Sequence, residues 1–222
     1  MTVPWSESDR RWRRLLRPAW PAFLRRTRPL SDFWGFDRGT PVDRHYIEGF
    51  LAGHRGDIRG RVLEVQDSLY TDLFGSGVEG RDVLDVDPAN PRATIVADLT
   101  NTAALPAGAF DCFILTQTLH LIYDLPAAVR SCHHLLRPGG VLLVTGPAVS
   151  RVRTGDFWRF TPASLGRLLE EAFGPVTVRA YGNVLAATAF LSGMAKEEVP
   201  KRLLDRQDEH FPVIVAARAV KA

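Results

Sequence analysis

His120 stands in TQTLHLIYD, directly after FDCFILT, an apolar run that reads as a buried strand. Open α/β sheets bind ligands beyond the C-terminal ends of their strands, and an imidazole placed there can take a proton from a substrate hydroxyl. The alternative is a histidine that caps or hydrogen-bonds the start of the next helix. Thr116 and Gln117 open the same loop and Tyr123 closes it. His45, in DRHYIEG, is a second candidate base, whereas His133 and His134 fall on a helix away from the ligand end. A further stretch, GDFWRFTP, offers Trp158, Arg159 and Phe160 as walls for a small-molecule substrate, with core packing as the alternative for the aromatics.

A second chemical group gathers at the ends of two earlier strands. VLEV is followed by Gln66, Asp67, Ser68 and Thr71, with Glu64 inside the strand, and no glycine occurs before Gly75. A dinucleotide site needs closely spaced glycines, because pyrophosphate must approach the backbone and a helix end. The loop therefore speaks against NAD or FAD. Its hydroxyl, amide and carboxylate groups suit a charged ligand without phosphate, aided by free N–H groups on a short helix over Leu69–Phe74. RDVLDVDP ends in Asp85 and Asp87. Strand alternation puts both on one face, and only Asp87 reaches the strand end. Its alternative role is to cap the Pro88 turn. Asp98 in ATIVADLT either faces a ligand or caps the loop Leu99-Thr100-Asn101.

These residues need a scaffold, and the chain reads as one α/β domain. Strands are expected at RVLEV, RDVLDV, ATIVAD, FDCFILT, GVLLVTG, GPVTVRAYG and FPVIVAARAV. Most lack polar alternation, as in a parallel sheet covered on both faces. Helices are expected at DRHYIEGFLAGH, at DLPAAVRSCHHLL with Asp124 as cap, and at TPASLGRLLEEAF with Thr161 as cap. Arg137-Pro138-Gly139-Gly140 reads as the turn into the next strand. The linker between the second and third strands is too short for a crossover helix, so the third strand is a short edge strand.

The chain has 222 residues and a net charge of +3, but residues 1–30 hold eight arginines against Glu7 and Asp9. A basic arm (1–36) on a mildly acidic body (37–222) argues against a nucleic-acid groove across the domain. The arm suits a partner enzyme, a second copy or an anionic surface, with a solvated extension as the plain alternative. Only two cysteines occur, outside any metal-ligand spacing, and no apolar run is long enough to span a membrane. A reducing cytoplasm fits.

The order of these pieces resembles the class I S-adenosylmethionine-dependent methyltransferases over roughly residues 59–147. VLEV falls at the first-strand position, VLDVDP at the second, and LLRPGGVLLVTGP at the fifth. A closer likeness is to small bacterial methyltransferase-domain proteins associated with sugar and glycosyl-transfer pathways, through GFDRGTPVDRHYIEGFL, LEV-x-D-x-x-YT-x-x-FG and YGNVLAATAFL. The resemblance implies a Rossmann-like, mostly parallel seven-stranded sheet with one antiparallel strand near the C-terminus, and S-adenosylmethionine as cofactor. It implies that Asp87, with Pro88, holds the ribose hydroxyls and that Asp98, with Leu99, meets the adenine. Glu64 would help hold the cofactor's ammonium. The expected reaction is metal-independent methyl transfer to a hydroxyl of a sugar or secondary metabolite. Gln66, where the family has glycine, leaves a second possibility open: a relative that has lost the cofactor and docks on a partner enzyme through its arm.

Overall fold

The computed structural model describes residues 27–222. The arginine-rich stretch to Arg26, and with it the expected docking role of the arm, lies outside the described residues. The strands are β1 (Gly60–Val65), β2 (Val78–Asp85), β3 (Ile95–Val96), β4 (Phe110–Thr116), β5 (Leu136–Pro147), β6 (Thr177–Tyr181) and β7 (Ile214–Val220). They form one sheet in the order β3-β2-β1-β4-β5-β7-β6, and only β7 runs antiparallel to its neighbours.

Helices α1 (Val42–Gly53) and α5 (Val184–Leu191) lie on one face, with the short α2 (Leu69–Phe74) and α6 (Lys201–Leu204). Helices α3 (Leu125–Leu135) and α4 (Pro162–Phe173) cover the other. The central strand β4 shows why its sequence lacks polar alternation. Phe113 and Leu115 pack beneath α3 and α4, whereas Cys112 and Ile114 pack towards α1 and α5, and all four are fully buried.

Both predicted caps are made. The Asp124 side chain accepts from Ala127 N at the start of α3, and Thr161 forms a capping box with Ser164 on α4. No helix separates β2 from β3; two Asx turns and Pro88 and Pro91 fill that linker. One boundary differs from expectation. Arg137–Gly140, read as a turn, already belongs to β5, because Gly139 N–H donates to Lys221 O and Lys221 N–H donates to Gly140 O.

The N-terminal segment 30–41 lies against the domain. Leu30 N–H donates to Ser192 O, and Trp34 Nε1–H donates to the Ser150 hydroxyl at 3.2 Å. The loop after β5 is fixed from below by Phe160, whose buried ring fills the space above Gly146. A Cβ at Gly146 would come within 2.4 Å of that ring. Gly146→Ala is therefore expected to destabilise the fold by about 1–3 kcal/mol through overpacking, read as a lowered urea midpoint at constant m-value.

Candidate functional site

A cavity of about 1250 Å³ opens at the C-terminal ends of β1, β2, β4 and β5. Strand order reverses between β1 and β4, so the cavity sits at the sheet's topological switch point. Its walls divide by chemistry. The β1–β2–β3 side carries Glu64, Asp67, Asp85 and Asp98; the β4–β5 side carries Thr116, Gln117, His120, Tyr123, Arg151, Arg153 and Asp156.

The first loop is built around Glu64. Its carboxylate, buried at the end of β1, accepts from Tyr70 N at 3.0 Å, from Thr71 N at 2.8 Å and from the Thr71 hydroxyl at 2.8 Å. Burial pushes this carboxyl up to about 7, against the pull of those three donors. Leu69 N–H is taken by Asp67 Oδ1. The N–H groups at the start of α2, expected to be free for a ligand, are thus occupied by the protein's own carboxylates. Thr71 serves Glu64, and the Ser68 hydroxyl donates to Asp72 at 3.1 Å; neither residue lines the cavity. Gln66 does line it, with an exposed side chain and φ of +71°. The chain keeps a glycine-like backbone at this position while adding an amide side chain.

At the end of β2 the positions of the two acids are the reverse of expectation. The strand stops at Asp85, and Asp85 lines the cavity. Asp87 lies outside it: its N–H donates to Asp85 Oδ1, and its own carboxylate caps Ala89 N in the turn that includes Pro88. Asn90 reaches back to hold both Asp85 Oδ2 and Gln66 O through its side-chain N–H groups, at 2.7 and 2.8 Å. Backbone N–H from Asp87, set against modest burial, holds the Asp85 carboxyl below its usual range. Asp98 and Leu99 also line the cavity, and Asp98 Oδ1 accepts from Thr100 N and its hydroxyl. Both readings of Asp98, cavity wall and loop cap, coincide.

On the other side, Thr116 and Gln117 leave β4 together. Gln117 has φ of +48°, and its side-chain Nε2 is buried without a hydrogen-bond partner. His120 follows in a 3-10 turn, with Nε2 3.6 Å from Asp156 Oδ1. Burial lowers its pKa to about 4, partly offset by Asp156, so the imidazole is neutral near pH 7. Tyr123 lines the mouth, 71% exposed, and its ring stacks on Trp158 at 6.0 Å. Trp158 and Arg159 stand behind the wall: Trp158 Nε1–H donates to Ile122 O, and Arg159 Nη2 pairs with Asp156 Oδ2 at 2.8 Å. Phe160 belongs to the core, not to the cavity. His45 is also outside; its Nε2 lies 3.1 Å from Asp205 on the far side of α1.

Four cavity residues carry weight that the sequence did not assign them. Strand alternation favours the later acid over Asp85, although the D-P-A-N-P run after it marks the turn. Asp156 was hidden among three aromatic and basic neighbours. Trp34 lines the cavity from the N-terminal segment, where spacing carries no signal, and the buried Asp43 lines it from the first turn of α1. Among the described residues no group of three His, Cys, Asp or Glu side chains comes together as a metal site.

Residues 79–144 match the family model described as a methyltransferase domain. Among solved structures, a SAM-dependent methyltransferase from Archaeoglobus fulgidus is 13% identical, with a TM-score of 0.55 over 80% of this chain and 94% of that one. A second, from Mesorhizobium loti, is 14% identical at 0.55, covering 81% and 100%. The 1,6-didemethyltoxoflavin-N1-methyltransferase of Burkholderia thailandensis, solved with bound 1,6-didemethyltoxoflavin and S-adenosylhomocysteine, is 15% identical at 0.51, covering 80% and 77%. No curated protein sequence matches the chain.

The left-handed backbone of Gln66 makes a stability prediction. Glycine adopts that conformation without the steric penalty of a Cβ. Gln66→Gly is expected to stabilise the fold by about 1 kcal/mol, raising Tm by about 2–4 °C for a chain of this size, as scanning calorimetry would record.

Proposed function

We propose that the chain is a class I S-adenosylmethionine-dependent methyltransferase, a reading supported by the methyltransferase-domain match over residues 79–144 and by the shared fold, and that it transfers a methyl group to a hydroxyl of a small-molecule acceptor, such as a sugar or secondary metabolite, without a metal. The observation that carries this is the set of four carboxylates on the β1–β2–β3 wall, Glu64, Asp67, Asp85 and Asp98. Carboxylates repel a phosphate and attract a cation. The N-terminus of α2, which a phosphate would seek, is already filled by Glu64 and Asp67. A cationic, phosphate-free nucleoside cofactor fits this donor set.

When bound, S-adenosylmethionine supplies a methyl group made electrophilic by its sulfonium. Asp85 would hold the ribose hydroxyls, since it is the acid at the end of β2 that faces the cavity. Asp98 and Leu99 would border the adenine. Gln66 and Asp67 would meet the amino-acid end, where the unpartnered Gln117 Nε2 offers a donor to a carboxylate. On the β4–β5 side His120 would receive the acceptor's proton, and Tyr123 would border the acceptor. The neutral imidazole is in the correct state for a base near pH 7.

Calorimetric titration with S-adenosylmethionine and S-adenosylhomocysteine tests the cofactor. Micromolar binding, about −8 kcal/mol, is expected. Asp85→Ala should weaken it about 10–100-fold, the worth of hydrogen bonds to a charged group, whereas Asp87→Ala should leave it within about two-fold. Absence of heat with either ligand, together with an unshifted melting temperature, would sink the proposal and favour a non-catalytic relative that works through its arm.

His120→Gln is expected to slow methyl transfer by about 10²–10⁴-fold with cofactor affinity unchanged, measured on an acceptor found by screening. In the wild type, protonation of His120 removes the base. The rate should therefore stay level as pH falls from 7 and decline only as it approaches about 4.

A further inference from the structure

Three arginines line the cavity, Arg44, Arg151 and Arg153, and their surroundings differ. Arg44 is matched by Asp43, 2.9 Å away. Arg151 gives Nη1–H to Asp32 O and lays its guanidinium over the Trp34 ring, 5.3 Å from the centroid. Neither of those two contacts of Arg151 supplies a negative charge. The Arg153 side chain is exposed and makes no hydrogen bond or ion pair among the described residues; only its backbone N–H and carbonyl are engaged. Its charge reaches His120, whose protonation it opposes. The acids on this side are already in use. Asp156 pairs with Arg159 at 2.8 Å, and Asp124 caps α3 through Ala127 N at 3.0 Å. Among the described residues, two guanidinium charges thus stand unmatched on the β4–β5 wall, opposite the four carboxylates of the other.

The loop after β5 aims this pair. Arg151 and Arg153 both line the cavity, whereas Val152 between them does not and is 73% exposed. A two-residue period puts alternate side chains on one side of an extended chain. The loop is held from behind. Arg159 Nη2 donates to Arg151 O at 3.2 Å, Arg153 N–H donates to Asp156 Oδ2 at 3.2 Å, and Asp156 N–H donates to Arg153 O at 3.1 Å. Phe157 N–H, donating to His120 O at 2.9 Å, ties the same loop to the one after β4. A braced backbone lowers the ordering cost that a ligand meets on binding.

We propose that Arg151 and Arg153 form a recognition site for an anionic group, a carboxylate or a phosphate, on the small-molecule acceptor. The inference rests on the reading of the β4–β5 side as the acceptor side, and it narrows the acceptor from any hydroxylated molecule to an acidic one. Guanidinium groups match carboxylate and phosphate oxygens in planar, two-point contacts. Trp34 and Tyr123, also on the cavity, offer ring faces to the rest of the molecule. The opposed walls fix its orientation, because an anion is drawn to the arginines and repelled by the four carboxylates.

NMR of the arginine Nε–H groups in the full chain, at low salt, tests this with three probes: glucose 6-phosphate, glucuronate and glucose. Arg151 and Arg153 are assigned from the signals lost in Arg151→Gln and Arg153→Gln. The expected result is a saturable shift of both signals with at least one acidic probe, half-complete at or below about 1 mM, and none with glucose. The tighter of the two acids identifies the group as phosphate or carboxylate. Each substitution should weaken acid binding about 10-fold or more, as for hydrogen bonds to a charged group. Arg153→Lys, which keeps the charge and loses the fork, should fall between. Raising the ionic strength from about 0.01 to 0.15 M should weaken binding as well. S-adenosylhomocysteine affinity should change less than about two-fold in Arg153→Gln, which also reports that the variant is folded. No response to either acid, an equal response to glucose, shifts spread alike over all arginines, or unchanged acid binding in both variants overturns the proposal. Failure of the wild type to bind S-adenosylhomocysteine while acid binding persists would instead remove the methyltransferase reading and leave an acid-binding cavity.

Discussion

The Glu64 carboxylate organises the cofactor side of the cavity. An acid buried at the end of a central strand must be paired or strongly hydrogen-bonded to be tolerated. Glu64 meets this requirement by gathering the second and third N–H groups of α2, from Tyr70 and Thr71, and the Thr71 hydroxyl. In doing so it bends the chain after Val65 into a compact loop that needs no run of glycines. Gln66 stands at the apex of that bend in a left-handed conformation, and Asn90 ties its carbonyl to Asp85. The first two strand ends are thus coupled through one asparagine side chain.

Backbone strain is concentrated around the same cavity. Among the described residues, three non-glycine positions have positive φ, namely Trp34, Gln66 and Gln117, and all three line it. Such conformations persist only where the surroundings over-determine them. Trp34 is held by Ser150 and by the guanidinium of Arg151 over its ring, Gln66 by Asn90, and Gln117 by Thr145. The rigid strands end, and the chain is forced into unusual shapes where it faces the ligand space.

The scaffold was legible because its signals are local or periodic. Apolar runs without alternation gave the buried strands, Asp124 and Thr161 marked helix starts, and the short proline-containing linker excluded a helix between β2 and β3. Cavity-lining residues were legible in the loops that follow the strands, as with Gln66, Asp67, Asp98, Gln117 and His120. The choice between Asp85 and Asp87 turned on two residues of strand length, which the Asx turns after Asp85 decide and alternation does not. His45 looked equivalent to His120 in type, but it points to Asp205 across a helix whose apolar face was its only visible feature. Asp156 was illegible for a different reason. Its place on the cavity wall depends on two loops separated by more than thirty residues and joined by backbone hydrogen bonds to His120, and no local pattern encodes such a meeting.

The missing crossover helix also shapes how the molecule meets others of its kind. At one margin of the sheet, β3 offers only Ile95 and Val96, flanked by Pro88 and Pro91 and by turns whose polar groups are already engaged. An incoming strand would find too few free backbone groups there to form a ladder. Short, proline-flanked margins of this sort guard against edge-to-edge aggregation. The opposite margin, β6, is five residues long and carries Arg179 at its middle. A charge at that place disfavours stacking of a second sheet edge against it. The economy that shortens β3 thus acts as a safeguard for a fold whose central strand β4 is almost wholly buried.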